Sequence, residues 1–161
     1  MYKYCFFDDY SEGAHPKIIE LITKTNFDQE IGYGKDKISD EAKELIKNVI
    51  QNPKAEIHFV SGGTQANLIV LASLMKPYES VIAANTAHIN IHEAGAIEET
   101  GHKINVINSS DGKITPEGIQ QVIDSHTDEH MVKPKAVFIS NTTEVGTIYK
   151  KKELENIYET C

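Results

Sequence analysis

An α/β fold, with a mainly parallel sheet covered by helices on both faces, is what this sequence predicts. Short apolar runs of strand length alternate with stretches of helical periodicity, the arrangement that buries a parallel sheet between helices. A glycine turn, Ser61-Gly62-Gly63-Thr64, joins one such run to an apolar helix. At 161 residues, 40% hydrophobic and 25% charged, the chain is large enough for one sizeable core.

The elements follow in order. His15-Pro16 opens a helix over Lys17 to Lys24, whose Ile18, Ile19, Leu21 and Ile22 give an apolar face. Ser39 is the expected cap of a second helix, Asp40 to Ile50, with acidic residues in its first turn. Glu56 to Val60 reads as a strand and Thr64 to Met75 as an apolar, buried helix. The next strand is Ser80 to Ala84, followed by a helix across Ile91 to Thr100 that stops at Gly101, a residue suited to the left-handed cap position. Lys103 to Asn108 is a third strand, and Thr115-Pro116-Glu117 caps a helix running to Ser125. Ala136 to Ser140 completes the strands and Lys151 to Glu159 is the final helix. Ser109 to Lys113 reads as a turn and His126 to Lys135 as a longer loop.

Charge excludes some partners. The net charge of −8 and isoelectric point near 5.3 argue against a nucleic-acid or anionic-membrane surface. All 16 basic residues are lysines, so the planar fork that arginine offers to carboxylate or phosphate is missing, and helix N-termini, hydroxyls and lysines must bind anions instead. Cys5 and Cys161 form no metal or redox spacing, which fits a reducing compartment. No apolar segment approaches the ~20 residues of a membrane span and no export signal is evident, so a cytoplasmic location is expected.

Two constellations bear on function. Glycines at Ser61-Gly62-Gly63-Thr64 let the backbone approach a ligand, and the N–H groups and positive dipole end of the following helix attract an anion. The turn is therefore a phosphate cradle or an ordinary tight turn. The second constellation is His88-Ile89-Asn90-Ile91-His92-Glu93, beyond a strand end. Its two histidines at i, i+4 could share a helix face on a metal, a spacing that His126 and His130 repeat. The metalloprotease pattern, however, needs glutamate directly after the first histidine, and here it follows the second, so no metal is expected. His88 lies on the same rim as Gly63 and Thr64, where a neutral imidazole could stack on a flat ring or move a proton; a satisfied core histidine is the plainer reading.

SGGTQAN (61–67), AHINIHEAGA (87–96) and ISNTTEVGTIY (139–149), with the earlier DYSEGAHP (9–16) and GYGKD (32–36), resemble the threonine aldolase and aromatic amino acid β-eliminating lyase family. These are pyridoxal-phosphate enzymes of the aspartate aminotransferase fold, and the resemblance runs from about Phe7 to Cys161 in the first part of that fold's large domain. It implies an amino-terminal helical segment, 1–52, and a partial cofactor-binding α/β domain, 53–161. It also implies pyridoxal phosphate as cofactor, with Gly63 and Thr64 on its phosphate, His88 stacked on its ring as the catalytic histidine, and Asn141 beside it. Asp8, Tyr33 and Thr143 match positions near the substrate, Tyr33 in its own or a neighbouring subunit's site. Glu93 follows the stacking residue and is assigned a hydrogen-bonding role.

The chain also departs from the family pattern. Asp8-Asp9 stands where many threonine aldolases have a serine–aspartate pair, and Thr143 stands where they have histidine after Asn-Thr. The family's cofactor lysine, and the aspartate that keeps the pyridine nitrogen protonated, come after the last matched motif. The resemblance is thus to an amino-terminal half, and the 161-residue chain alone is expected to be inactive. The implied reaction cleaves the Cα–Cβ bond of a β-hydroxy amino acid to glycine and an aldehyde; β-elimination shares the same motifs and stays open. A non-catalytic remnant, or one part of a split enzyme that binds a phosphate-bearing ligand, is the other class. The implied partners are a small-molecule amino acid and either further copies of the chain in a homo-oligomer or a complementing carboxy-terminal chain.

Overall fold

The computed structural model describes Cys5, Asp8 and residues 10–161. By internal contacts the chain divides into two compact units, Met1–Phe59 and Val60–Cys161.

The first unit carries two helices, α1 (Pro16–Thr25) and α2 (Lys37–Val49). His15 caps α1, its Nδ1 accepting the Lys17 N–H at 3.2 Å, and Pro16 occupies the first position, where its missing N–H costs nothing. The α2 helix starts earlier than expected. Asp36 caps it, Oδ1 accepting the Ser39 N–H at 2.7 Å and Oδ2 the Ser39 hydroxyl at 2.6 Å, so Ser39 lies within the first turn. A carboxylate with two acceptor oxygens satisfies more of that turn than the serine hydroxyl would. Among the described residues of this unit none is buried.

The second unit holds α3 (Gly63–Leu74), β1 (Glu79–Ala84), α4 (His88–Ile91), α5 (Ala96–Glu99), β2 (Lys103–Ile107), α6 (Pro116–Ser125), β3 (Lys133–Val137) and α7 (Lys151–Thr160). The strands form a parallel sheet in the order β2-β1-β3, confirming the α/β class. The central β1 is buried along its whole length, and Val81, Ile82, Ala83 and Ala84 meet Ile104, Ile119 and Ile157 in the core. Crossover connections through α4–α5 and through α6 allow the parallel pairing. Buried Asn105 donates to the Ser80 hydroxyl at 2.8 Å, satisfying a polar pair inside the β1–β2 ladder.

Several expectations are corrected. Residues 56–60 form no regular element; among the described residues they have no ladder partner, and Phe59 and Val60 are about half exposed. The helix Ile91 to Thr100 is instead two single turns, α4 and α5. Ala94 and Gly95 between them take left-handed backbone, φ 51° and 79°, which a continuous helix cannot contain. Gly101, with φ 82°, ends α5 in the expected left-handed conformation. The last strand begins earlier, at Lys133. Pro134 is tolerated there because β3 lies at the sheet edge, and the register shift beside Ser80/Val81 accommodates Lys135. Helix α3 is apolar as expected but not buried: only Leu71 is, while Ile69, Val70 and Leu74 stay about half exposed.

Candidate functional site

The carboxyl ends of the three strands are tied together by backbone and side-chain hydrogen bonds. After β1, the Asn85 N–H donates to the Ile107 carbonyl at the end of β2, and the Asn85 side chain accepts the Ser109 N–H, both at 2.9 Å. After β3, Phe138 N–H donates to the Ile82 carbonyl at 2.8 Å. Glu144 then reaches back to β1's loop, its Oε1 accepting the His88 N–H at 2.7 Å and the Ser140 hydroxyl at 2.5 Å. The rim where ligands of parallel sheets bind is therefore a fixed frame.

His88 opens α4 on that rim. Its Nδ1 lies 2.8 Å from Oε1 of Glu93, whose side chain is 0% exposed, while the His88 side chain remains 45% exposed. The same Oε1 accepts from Asn67 Nδ2 at 2.6 Å. Asn67 sits in the second turn of α3, so this triad binds the helix that follows the glycine turn to the histidine on the rim. The His92 ring is tilted 55° to His88 at 5.6 Å between centroids.

Gly63 and Thr64 form the first turn of α3, after Gly62 in an extended conformation. No side chain caps this helix and no acidic residue stands in its first turn, so its leading N–H groups and dipole face an open approach. Gln65 steadies the entry, its Oε1 accepting the Ser61 N–H at 2.7 Å and hydroxyl at 2.8 Å. A Cβ at Gly62 or Gly63 would meet no protein atom within 4 Å, and neither backbone is left-handed. Among the described residues, no packing contact requires glycine there.

The remaining expected residues are placed differently. Asn141 is exposed in the turn after β3, its Oδ1 accepting the Tyr149 N–H at 3.1 Å. Thr143 is 4% exposed and its hydroxyl shares a 2.8 Å hydrogen bond with that of Thr147. It packs against Gly112, where an added Cβ would come within 3.1 Å of it. Thr143 thus serves the interior of a turn rather than presenting a hydroxyl to solvent. Asp8 and Tyr33 belong to the first unit: Asp8 accepts from the Tyr10 N–H at 3.2 Å and from the Ser11 hydroxyl, and Tyr33 is fully exposed with φ 65°. Asp9 and Phe7 lie outside the described residues. Asn67, Ser140 and Glu144 fall within the quoted motifs, but their contacts around His88 are not legible in the sequence, because they lie 21 to 56 positions away from it. Among the described residues, the group of three side chains whose ligand atoms lie close enough to share a metal ion is Asp128, Glu129 and His130, all exposed.

Comparison with known proteins gives the family. The model of the family described as beta-eliminating lyase matches residues 8–161. A low specificity L-threonine aldolase of Pseudomonas sp. (strain NCIMB 10558) is 36% identical over 156 residues, covering 96% of this chain and 44% of that protein. One from Pseudomonas aeruginosa is 35% identical with the same coverage. The solved structure of Leishmania major threonine aldolase superposes with a TM-score of 0.92 at 48% identity, over 96% of this chain and 45% of that one. The chain thus spans a little under half the length of the relatives it matches, and it belongs to the beta-eliminating lyase family.

Proposed function

We propose that the chain binds pyridoxal phosphate and supplies the phosphate-binding and ring-contacting half of a lyase that cleaves the Cα–Cβ bond of a β-hydroxy amino acid. The observation that carries this reading is the link from α3 through Asn67 and Glu93 to His88, which couples an uncapped helix N-terminus to a half-exposed imidazole on one rim. The residues fit the group: the first-turn amides and the Thr64 hydroxyl offer neutral donors to a dianion, and a Cβ placed at Gly63 has no described atom beyond its chain neighbours and the helix backbone within 4 Å.

Bound pyridoxal phosphate supplies an electron sink for a bond breaking at the amino acid's α-carbon. The chain's own residues do the rest. Gly63 and Thr64 hold the phosphate, His88 covers the ring and takes the β-hydroxyl proton, and Asn141 lines the rim beside it. Asp8 and Tyr33 are assigned to the substrate on resemblance alone. The names of the threonine aldolase relatives support a β-hydroxy amino acid as substrate. The lysine that carries the cofactor in the family lies outside the motifs matched here, and a cytoplasmic location and homo-oligomeric state belong to the same proposal.

Titrating pyridoxal phosphate into the purified chain tests this. Gly63→Val is expected to abolish binding by filling the approach while leaving the chain unstrained. Thr64→Ala is expected to weaken it by about 0.5–1.5 kcal/mol, the contribution of one hydrogen bond. Unchanged affinity in the valine variant would remove the cradle from the model. The chain alone is expected to release no aldehyde from threonine.

A further inference from the structure

We infer that Glu93 is a positioning residue that holds His88 as the Nδ1–H tautomer and so makes Nε2 the nitrogen that accepts a proton. The inference rests on the cofactor reading only in taking His88 as the ring-contacting group. Asn67 donates its amide N–H to Oε1 at 2.6 Å; the opposite amide orientation would set two oxygens against each other at that distance. Oε1 therefore acts as an acceptor. The nitrogen facing that oxygen at 2.8 Å, Nδ1, must then carry the hydrogen.

Burial makes the constraint firm. The Glu93 side chain is 0% exposed, so water does not compete for Oε1, and its Oε2 has no hydrogen-bond partner among the described residues. Both donors converge on one oxygen, which concentrates the carboxylate's hydrogen bonding on the histidine side. His88 is also held at its backbone, where the N–H donates to Glu144. The other titratable ring in contact, His92, is tilted 55° at 5.6 Å between centroids, and among the described residues the hydrogen-bond partner of Nδ1 is Glu93. A free imidazole prefers the opposite tautomer, Nε2–H, so the expected state is one that the protein must impose. When Nε2 takes a proton the ring becomes an imidazolium whose Nδ1–H stays on Glu93, and no proton passes to the carboxylate.

Long-range ¹H–¹⁵N correlation spectra of the 161-residue chain, recorded without cofactor above the titration range of ordinary histidines, read the tautomer directly. His88 is expected as Nδ1–H by roughly tenfold or more, the ratio one charge-assisted hydrogen bond supports. Glu93→Leu, which fills the site without an acceptor, should turn the majority to Nε2–H while His92 keeps its pattern. A majority of Nε2–H in the wild type would overturn the inference, since it would place the proton on Glu93. So would Nδ1–H persisting in a folded Glu93→Leu chain. If the leucine variant does not fold, the wild-type spectrum still decides. Adding pyridoxal phosphate separates the two readings: unmoved His88 resonances would sink the cofactor proposal and leave the tautomer result standing.

Discussion

The two units of this chain contrast in what their helices rest on. In Met1–Phe59, α1 and α2 have caps and clear apolar faces, and α1 a proline in its first turn, yet Ile18, Ile19, Leu21, Ile22 and Leu45 are all at least half exposed. In Val60–Cys161, α6 and α7 are no more strongly patterned, but each buries an isoleucine, Ile119 and Ile157, against β1 and its neighbours. Local signals are enough to specify a helix. Only an apolar partner converts its face into stability, and in the first unit that partner is not among the described residues of the unit itself.

The largest test of this contrast compares matched isoleucines. Ile82→Ala, in the fully buried β1, should cost about 2–5 kcal/mol of unfolding free energy in urea titration, from lost transfer and an unfilled cavity. Ile18→Ala, at 52% exposure in α1, should fall within about 0.5 kcal/mol of the wild type. Comparable losses would break the comparison and mean that the first unit's apolar face is covered in solution.

A second test lies within the core of the second unit. Tyr149 is 4% exposed and its hydroxyl accepts the buried Ile114 N–H at 2.7 Å. Tyr149→Phe leaves that N–H without its acceptor, so a loss of about 1–3 kcal/mol is expected from the same titrations. Burial also raises the Tyr149 pKa above its ordinary 10.0, because the phenolate would lose its hydration. The stability this represents is complete below 10.0 and is lost as pH rises through the folded value. The wild type should thus destabilise in strong alkali more steeply than Tyr149→Phe.

Sequence and structure agree where the deciding physics is local. The Thr115 cap, the Gly101 stop and the run Ser80 to Ala84 could all be read because one residue's backbone freedom or one short run's hydrophobicity determines the outcome. The strand expected at 56–60 failed because a ladder needs a neighbour, and periodicity says nothing of whether one is present. Helix α3 misled for a related reason: apolar residues on every side implied burial, but the described neighbours cover little beyond Leu71. On the rim, the placement of Gly63 in the first turn of a helix and of His88 beyond a strand end was legible through turn chemistry and position. Asn67 and Glu144 were not, since their significance lies in reaching residues far along the chain.

The smallest expected effect returns to the first unit, where stability should depend on caps more than on packing. Asp36 has its carboxyl held below the ordinary 3.8 of an aspartate, first by the Ser39 hydroxyl and then by the Ser39 N–H, both of which bond best to the ionised form. The unfolded carboxyl binds protons at higher pH than the capped one. Stabilisation of α2 by this cap is therefore complete above 3.8 and is lost as pH falls through the lower, capped value. Asp36→Ala should remove that step. Amide exchange of the α2 N–H groups, followed residue by residue on acidification, should show the first turn opening before the core of the second unit does. The alanine variant should exchange that turn quickly at every pH. If the wild-type first turn stays as protected as β1 through the acid range, the cap is not what holds α2, and a tertiary contact must be.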